Sequence, residues 1–237
     1  MQNYSRIGIT INNDLKTMLQ CNVNLAGLTD KHLECVPCEK CTARSKLEYP
    51  FKRDLTTSEA LVKALKDFIE ASTSYECAAP EIVKNPDICV LDITQGKRLI
   101  CRVEAKLLEG FAFMKAEKLL GDHLKPKETL VVDEPKLLSY FECKDRDFQK
   151  LGRVVPIFVV WKYDKPCADL GGITVFQEIS ELKNIYVARG KNRKFERKTV
   201  ESDMEHGHKL GITSKYHFSL KECRPIEDLI AEILAIK

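Results

Sequence analysis

Apolar positions along the chain change their period several times, and each change marks an element. Leu61, Leu65 and Phe68, with Val62 and Ile69 beside them, recur at helical spacing behind Thr56-Thr57-Ser58-Glu59. A Thr or Ser there can cap a first turn, so a helix is predicted from about 57 to 71. The period then becomes that of a strand. Asp87-Ile88-Cys89-Val90-Leu91-Asp92-Ile93 and Arg98-Leu99-Ile100-Cys101-Arg102-Val103-Glu104-Ala105-Lys106 are rich in β-formers and flank the turn-like Thr94-Gln95-Gly96-Lys97, which predicts a β-hairpin. A helical pattern follows from about 109 to 121, through Phe111, Phe113, Met114, Leu119 and Leu120, with Gly121 as its stop. Strands at 129–132, 154–162 and 172–176, a helix within 134–149 and a terminal helix over 225–236 opened by Pro225 complete the reading. This mixture predicts an α/β (α+β) domain with a central mixed β-sheet flanked by helices.

Residues 1–56 read differently. They carry four of the ten cysteines and end near Tyr49-Pro50, where proline disfavours a continuing helix. The chain is therefore divided into a Cys-rich N-terminal region, 1–56, and a main domain, 57–237.

Composition narrows the class. With 237 residues and 44% hydrophobic content, the chain can bury one large core. Its longest strongly apolar run, Val154 to Trp161, is far shorter than the roughly 20 residues that span a bilayer. The N-terminus also lacks the basic-then-apolar order of a secretory signal. A cytoplasmic, intracellular protein without membrane contact is expected. Ten cysteines would indicate disulfides in a small secreted protein, but seven lie outside the cluster described below, scattered through apolar or strand-like segments. Buried thiols in a reducing compartment follow.

A net charge of +3 is too small for the average field to argue for nucleic acid, so local clusters carry that question. Arg189, Lys191, Arg193, Lys194, Arg197 and Lys198 fall within ten residues. Such a segment could track a phosphate backbone; on the same evidence it could be a solvated turn.

The hairpin carries the candidate chemistry. Cleaving a phosphodiester calls for a cation that neutralises the transition state and activates water, held by carboxylates fixed in position. Asp87 opens one predicted strand and Glu104-Ala105-Lys106 closes the next, so both ends meet at one edge of the hairpin. Alternation along a strand puts Glu104 and Lys106 on one face, where the lysine can orient or deprotonate water, or stabilise the transition state. The tripeptide alone carries little information, because Glu134-Pro135-Lys136, Glu142-Cys143-Lys144, Glu181-Leu182-Lys183 and Glu196-Arg197-Lys198 match it too. What separates Glu104 to Lys106 is its place at the end of an apolar strand with a Pro-Asp opening the preceding one. Asp92 is an alternative acid, at the wrong end of its strand. The plain alternative for the whole motif is a surface hairpin with charged ends.

Pro86-Asp87 followed by Glu104-Ala105-Lys106 resembles the PD-(D/E)xK nuclease superfamily over about 57–122. The resemblance implies a restriction-endonuclease-like core, with Mg²⁺ or Mn²⁺ on Asp87 and Glu104, and Lys106 in catalysis. Members often place a further glutamate on the preceding helix, for which Glu59 is the candidate. The implied activity is hydrolysis of DNA, as a restriction-type endonuclease, with a homodimer among the assemblies it admits. The competing class is a non-catalytic nucleic-acid-binding or zinc-containing interaction protein on the same fold. A thiol-dependent enzyme is disfavoured, since no cysteine is visibly matched to a histidine and an orienting acid.

Cys35-Val36-Pro37-Cys38-Glu39-Lys40-Cys41 spaces three thiols at two-residue gaps, as when a short loop wraps one metal ion. Cys21 is the nearest candidate for a fourth ligand, with His32 and Cys77 as alternatives. A closed zinc site would stabilise a region poor in apolar residues. An iron–sulfur cluster is the second choice, because some RecB-type nucleases that resemble the superfamily carry one. Against that subgroup, the cysteines here precede the nuclease motif, and the Gln-x-x-x-Tyr that follows E-x-K there is missing. Three unrelated thiols remain the plain alternative.

Overall fold

The computed structural model describes residues 19–35, 51–82, 84–109, 112–165, 170–196, 204–205, 208–209 and 214–236. Five of its strands and its two long helices decide where the site lies. Helix α1 (Asp30–Leu33) is a single turn, and α2 (Phe51–Ser72) is the first long helix. Strands β1 (Glu76–Ala78), β2 (Ile88–Asp92) and β3 (Arg98–Glu109) follow, then the short α3 (Ala116–Leu119) and β4 (Thr129–Asp133). Next come α4 (Glu134–Leu151), β5 (Ile157–Asp164), β6 (Ile173–Glu178) and α5 (Ile179–Arg189). The chain closes with β7 (Lys194–Glu196), β8 (Met204–Glu205), β9 (His208–Lys209), β10 (Ser214–Ser219), β11 (Arg224–Pro225) and α6 (Leu229–Ala235).

The central sheet is mixed, in the order β1-β2-β3-β5-β6-β11. β3 pairs antiparallel with β2 and parallel with β5, and the other neighbours are antiparallel. The fold is therefore α/β, with helices on both faces of this sheet. A smaller antiparallel sheet, β4-β10-β7, packs on one side, and β8 pairs with β9. No helix among the described residues is long and apolar enough to cross a membrane.

Strand alternation divides the core in two. Val103, Ala105, Phe158, Val160 and Phe176 face α2 and α6, where Leu61, Leu65, Ile69, Leu229 and Ile233 are buried. Val159, Trp161, Tyr163 and Val175 face α4, α5 and the small sheet, against Leu137, Tyr140, Leu182, Tyr216 and Phe218. Each buried Val, Leu, Ile or Phe among them stabilises the fold by roughly 1.5–3 kcal/mol through the water it sheds. The described part of the N-terminal region joins these same clusters: Leu25, Leu28 and Leu33 on the α4 side, Leu19 on the α2 side. Its backbone is tied in as well, since the Thr174 N–H donates to the Gln20 carbonyl at 2.7 Å.

The hairpin, the helix within 134–149 and the strands at 129–132, 154–162 and 172–176 all have counterparts. Three expectations need correction. Residues 109–121 are not one helix: β3 continues to Glu109 because β5 pairs with it as far as Asp164, and among the described residues of that range only Ala116–Leu119 is helical. The helix expected from 57 begins at Phe51, so the boundary drawn at residue 56 cuts through it. Pro225 lies in β11, and a 3₁₀ turn separates it from α6. The hairpin turn takes two consecutive left-handed residues, Gly96 at φ 67°, where glycine bears no steric cost, and Lys97 at φ 61°.

Candidate active site

The end of the hairpin builds the site through a mismatch in strand length. β2 stops at Ile88, opposite Val103, while β3 runs six residues further on its β5 partner alone. On the side that β2 has left, Asp87 takes the place of a strand: its Oδ2 accepts the Ala105 N–H at 2.9 Å. That single bond fixes the Asp87 carboxylate between Glu104 and Lys106. These two residues share one face of β3, and Lys106 Nζ lies 2.5 Å from Glu104 Oε1. Glu104 is only 2% exposed.

Helix α4 closes the site from above. Pro135 stands in its first turn and Gly152, at φ 68°, ends it. Its buried positions include Leu137, Tyr140, Phe141 and Asp147, a stripe at helical spacing. Tyr140 hydrogen-bonds Glu104, and its ring lies 6.0 Å from Lys106 Nζ. Burial first, then the charge of Glu104, holds the Tyr140 hydroxyl protonated well above its ordinary range. A cleft of about 760 Å³ opens here, lined by Asp87, Glu104, Lys106 and Lys136 and walled by α2 through Glu59 and Lys63.

The electrostatics are unbalanced. Burial, followed by the neighbouring charge of Glu104, pushes the Asp87 pKa up to about 6, against the opposing pull of the Ala105 N–H, Lys106 and Lys136. Two carboxylates with one directly paired lysine leave an excess of negative charge that a divalent cation would satisfy. Among the described residues no group of three or more His, Cys, Asp or Glu is gathered in the way that holds a metal by protein ligands alone.

The structure thus brings Asp87, Glu104, Lys106 and Glu59 around one cleft. Asp92 lies elsewhere, at the far end of β2, where it accepts from Thr94. Lys136 and Tyr140 were missed in the sequence. Their signal was present in the start of the helix after β4, but Glu134-Pro135-Lys136 reads as a chance E-x-K match.

The basic segment is corrected in part. Arg193 is buried between Asp122, at 2.5 Å, and Glu222, which it meets with both terminal nitrogens. Lys194 pairs with Glu134 at 2.8 Å and Glu196 at 2.9 Å. These two cations clamp the small sheet to its surroundings and are not available to phosphates. Arg189 lies 3.5 Å from Asp122, Lys191 is exposed, and Arg197 and Lys198 lie outside the described residues.

Of the cysteine quartet, Cys38 and Cys41 lie outside the described residues. Cys21 is half-buried and its thiol donates to the Val23 carbonyl, and Cys35 is half-buried. Cys21, Cys77, Cys89, Cys101, Cys143 and Cys223 are in no disulfide, and the last four of these are buried.

No protein-family model matches the chain, and neither a curated protein nor a solved structure does.

Proposed function

We propose that the protein is a divalent-metal-dependent nuclease of the PD-(D/E)xK type that hydrolyses DNA phosphodiester bonds. One observation carries this reading: the Asp87 carboxylate is hydrogen-bonded to the backbone between Glu104 and Lys106, so two acids and a lysine share one cleft. The donor set fits Mg²⁺ or Mn²⁺, since both carboxylates offer hard oxygens, and the raised pKa of Asp87 comes from burial and then from the charge of Glu104, both of which a bound cation would offset. When bound, such a cation supplies a Lewis acid and an activated water.

The chain's own groups supply the rest. The Ala105 N–H and Tyr140 hold the two carboxylates in fixed positions, and rigid strands keep them there. Lys106, bonded to Glu104, is the group that would orient the attacking water or stabilise negative charge on the transferred phosphate. Lys136 at the cleft wall favours an anionic substrate, whereas Lys63 is paired with Asp67 at 2.7 Å. Glu59 lines the same cleft from α2 and is the candidate for a further acid there.

Lys106→Ala tests the proposal. Purified wild-type protein is expected to nick or cut DNA with Mg²⁺ or Mn²⁺ and to be silent in EDTA. The variant is expected to melt like the wild type while cutting at least about a hundredfold more slowly, the loss typical of removing a positioned proton-transfer or charge-stabilising group. Undiminished cutting by the variant would overturn the assignment.

A further inference from the structure

A second cleft, of about 850 Å³, lies on the α4 side of the sheet and meets the first at Ala79, which borders both. Its walls are cationic from two separate stretches of chain. Lys97 and Arg98 come from the hairpin turn, Arg146 and Lys150 stand one turn apart on α4, and Arg153 follows the helix.

What these cations touch is telling. Arg146 donates to the Asn85 amide oxygen at 2.9 Å, Arg98 to the Gln95 amide oxygen at 3.0 Å, and Arg153 to the Leu99 carbonyl. Neutral acceptors orient these guanidinium groups without cancelling their charge. Arg153 also keeps one terminal nitrogen, Nη1, buried with no hydrogen-bond partner among the described residues. Two acids line the cleft, Glu81 and Asp147, and Asp147 is already engaged by Arg102 in a two-pronged pair. None of the five cations forms an ion pair within 4 Å among the described residues. Ile82 and Leu151, both exposed apolar side chains, stand in the same walls.

Resting on the nuclease reading above, we propose that this cleft is the track for the phosphodiester backbone of the DNA strand leading away from the Asp87–Glu104 site. Oriented guanidinium groups match phosphate oxygens, and the apolar side chains suit sugars and bases, which a bare inorganic anion does not present. The track replaces the 189–198 segment, whose Arg193 and Lys194 are spent on internal pairs.

The test compares two variants of equal charge change, Arg146→Gln with Lys150→Gln, and Arg189→Gln with Lys191→Gln. Each binds a fluorescein-labelled DNA duplex in EDTA over a series of salt concentrations. The first is expected to bind at least about tenfold more weakly than wild type, with a slope of log affinity against log salt shallower by about two; the second stays within about twofold. Lys97→Gln with Arg98→Gln, from the opposite wall, is expected to repeat the first result and stands in for it if that variant does not fold. Equal losses in the track and control variants, unchanged binding in the track variants, or no binding by the wild type would each overturn the track. Because binding is read without metal, cleavage is a separate readout. A wild type that cuts DNA while the track variants bind normally loses only the track. A wild type that binds through the track and never cuts loses only the nuclease.

Discussion

Two ionic groups rise from the same face of β3, two residues apart. Arg102 meets Asp147 through both Nε and Nη2, at 2.7 and 3.0 Å, and one charge cancels the other. Glu104 meets Lys106 but also faces Asp87, so the second group carries an acid too many. Both are held by the same two elements, β3 below and α4 above, with Asp147 and Tyr140 two helical turns apart. The balanced pair contributes to the fold alone. The unbalanced trio costs the fold something, and a cation bound there would offset that cost.

The largest effect expected from this contrast is structural. Asp147→Ala leaves Arg102 buried and uncompensated, and is expected to destabilise the protein by about 3–5 kcal/mol in denaturant unfolding. A loss below about 1 kcal/mol would mean that the pair does not hold α4 to the sheet.

Asp87→Asn should act in the opposite sense. The folded pKa of Asp87, about 6, lies above its ordinary value of 3.8, so the folded protein prefers the protonated acid. Its stabilising contribution is fully present below pH 3.8 and is lost as pH rises through 6. In EDTA at pH 7, Asp87→Asn is therefore expected to gain about 1–3 kcal/mol over wild type while losing cleavage with Mg²⁺, and the gain should fade as the pH is lowered towards 4. Equal stability at pH 7 would remove the claim of an electrostatic cost.

The smallest effect sharpens what the tripeptide means. Glu142-Cys143-Lys144 is also E-x-K, but on α4 successive side chains do not share a face every second residue: Glu142 is exposed, while Lys144 turns to Glu178 at 2.6 Å. Lys144→Ala is expected to cost at most about 1 kcal/mol and to leave cleavage within about twofold.

These residues also show what was legible in the sequence. The hairpin was readable because β-formers, a Gly-containing turn and a second run of β-formers lie close together in the chain, and it positioned Asp87 against Glu104 and Lys106. Glu59 was readable from the helical period of Leu61, Leu65 and Phe68. The contribution of α4 was not, because pairing Tyr140 with Glu104 and Asp147 with Arg102 depends on how a helix lies across a sheet 36 to 45 residues away. The 189–198 segment failed for a related reason. Charge runs show cations but not the distant acids, Asp122, Glu134 and Glu222, that neutralise them. The basic cleft was hidden likewise, since its cations come from two stretches, 97–98 and 146–153, that are unremarkable one at a time. The extent of β3 was misread because Leu107 and Leu108 fit a strand or a helix equally well until β5 is paired beside them.

The central claim is that Asp87 and Glu104 are short of a cation, and Mn²⁺ titration followed by electron paramagnetic resonance tests it most directly. Wild-type protein is expected to take up a Mn²⁺ ion that both Asp87→Asn and Glu104→Gln fail to bind, with the two variants still folded. Identical Mn²⁺ uptake by wild type and both variants would contradict the account.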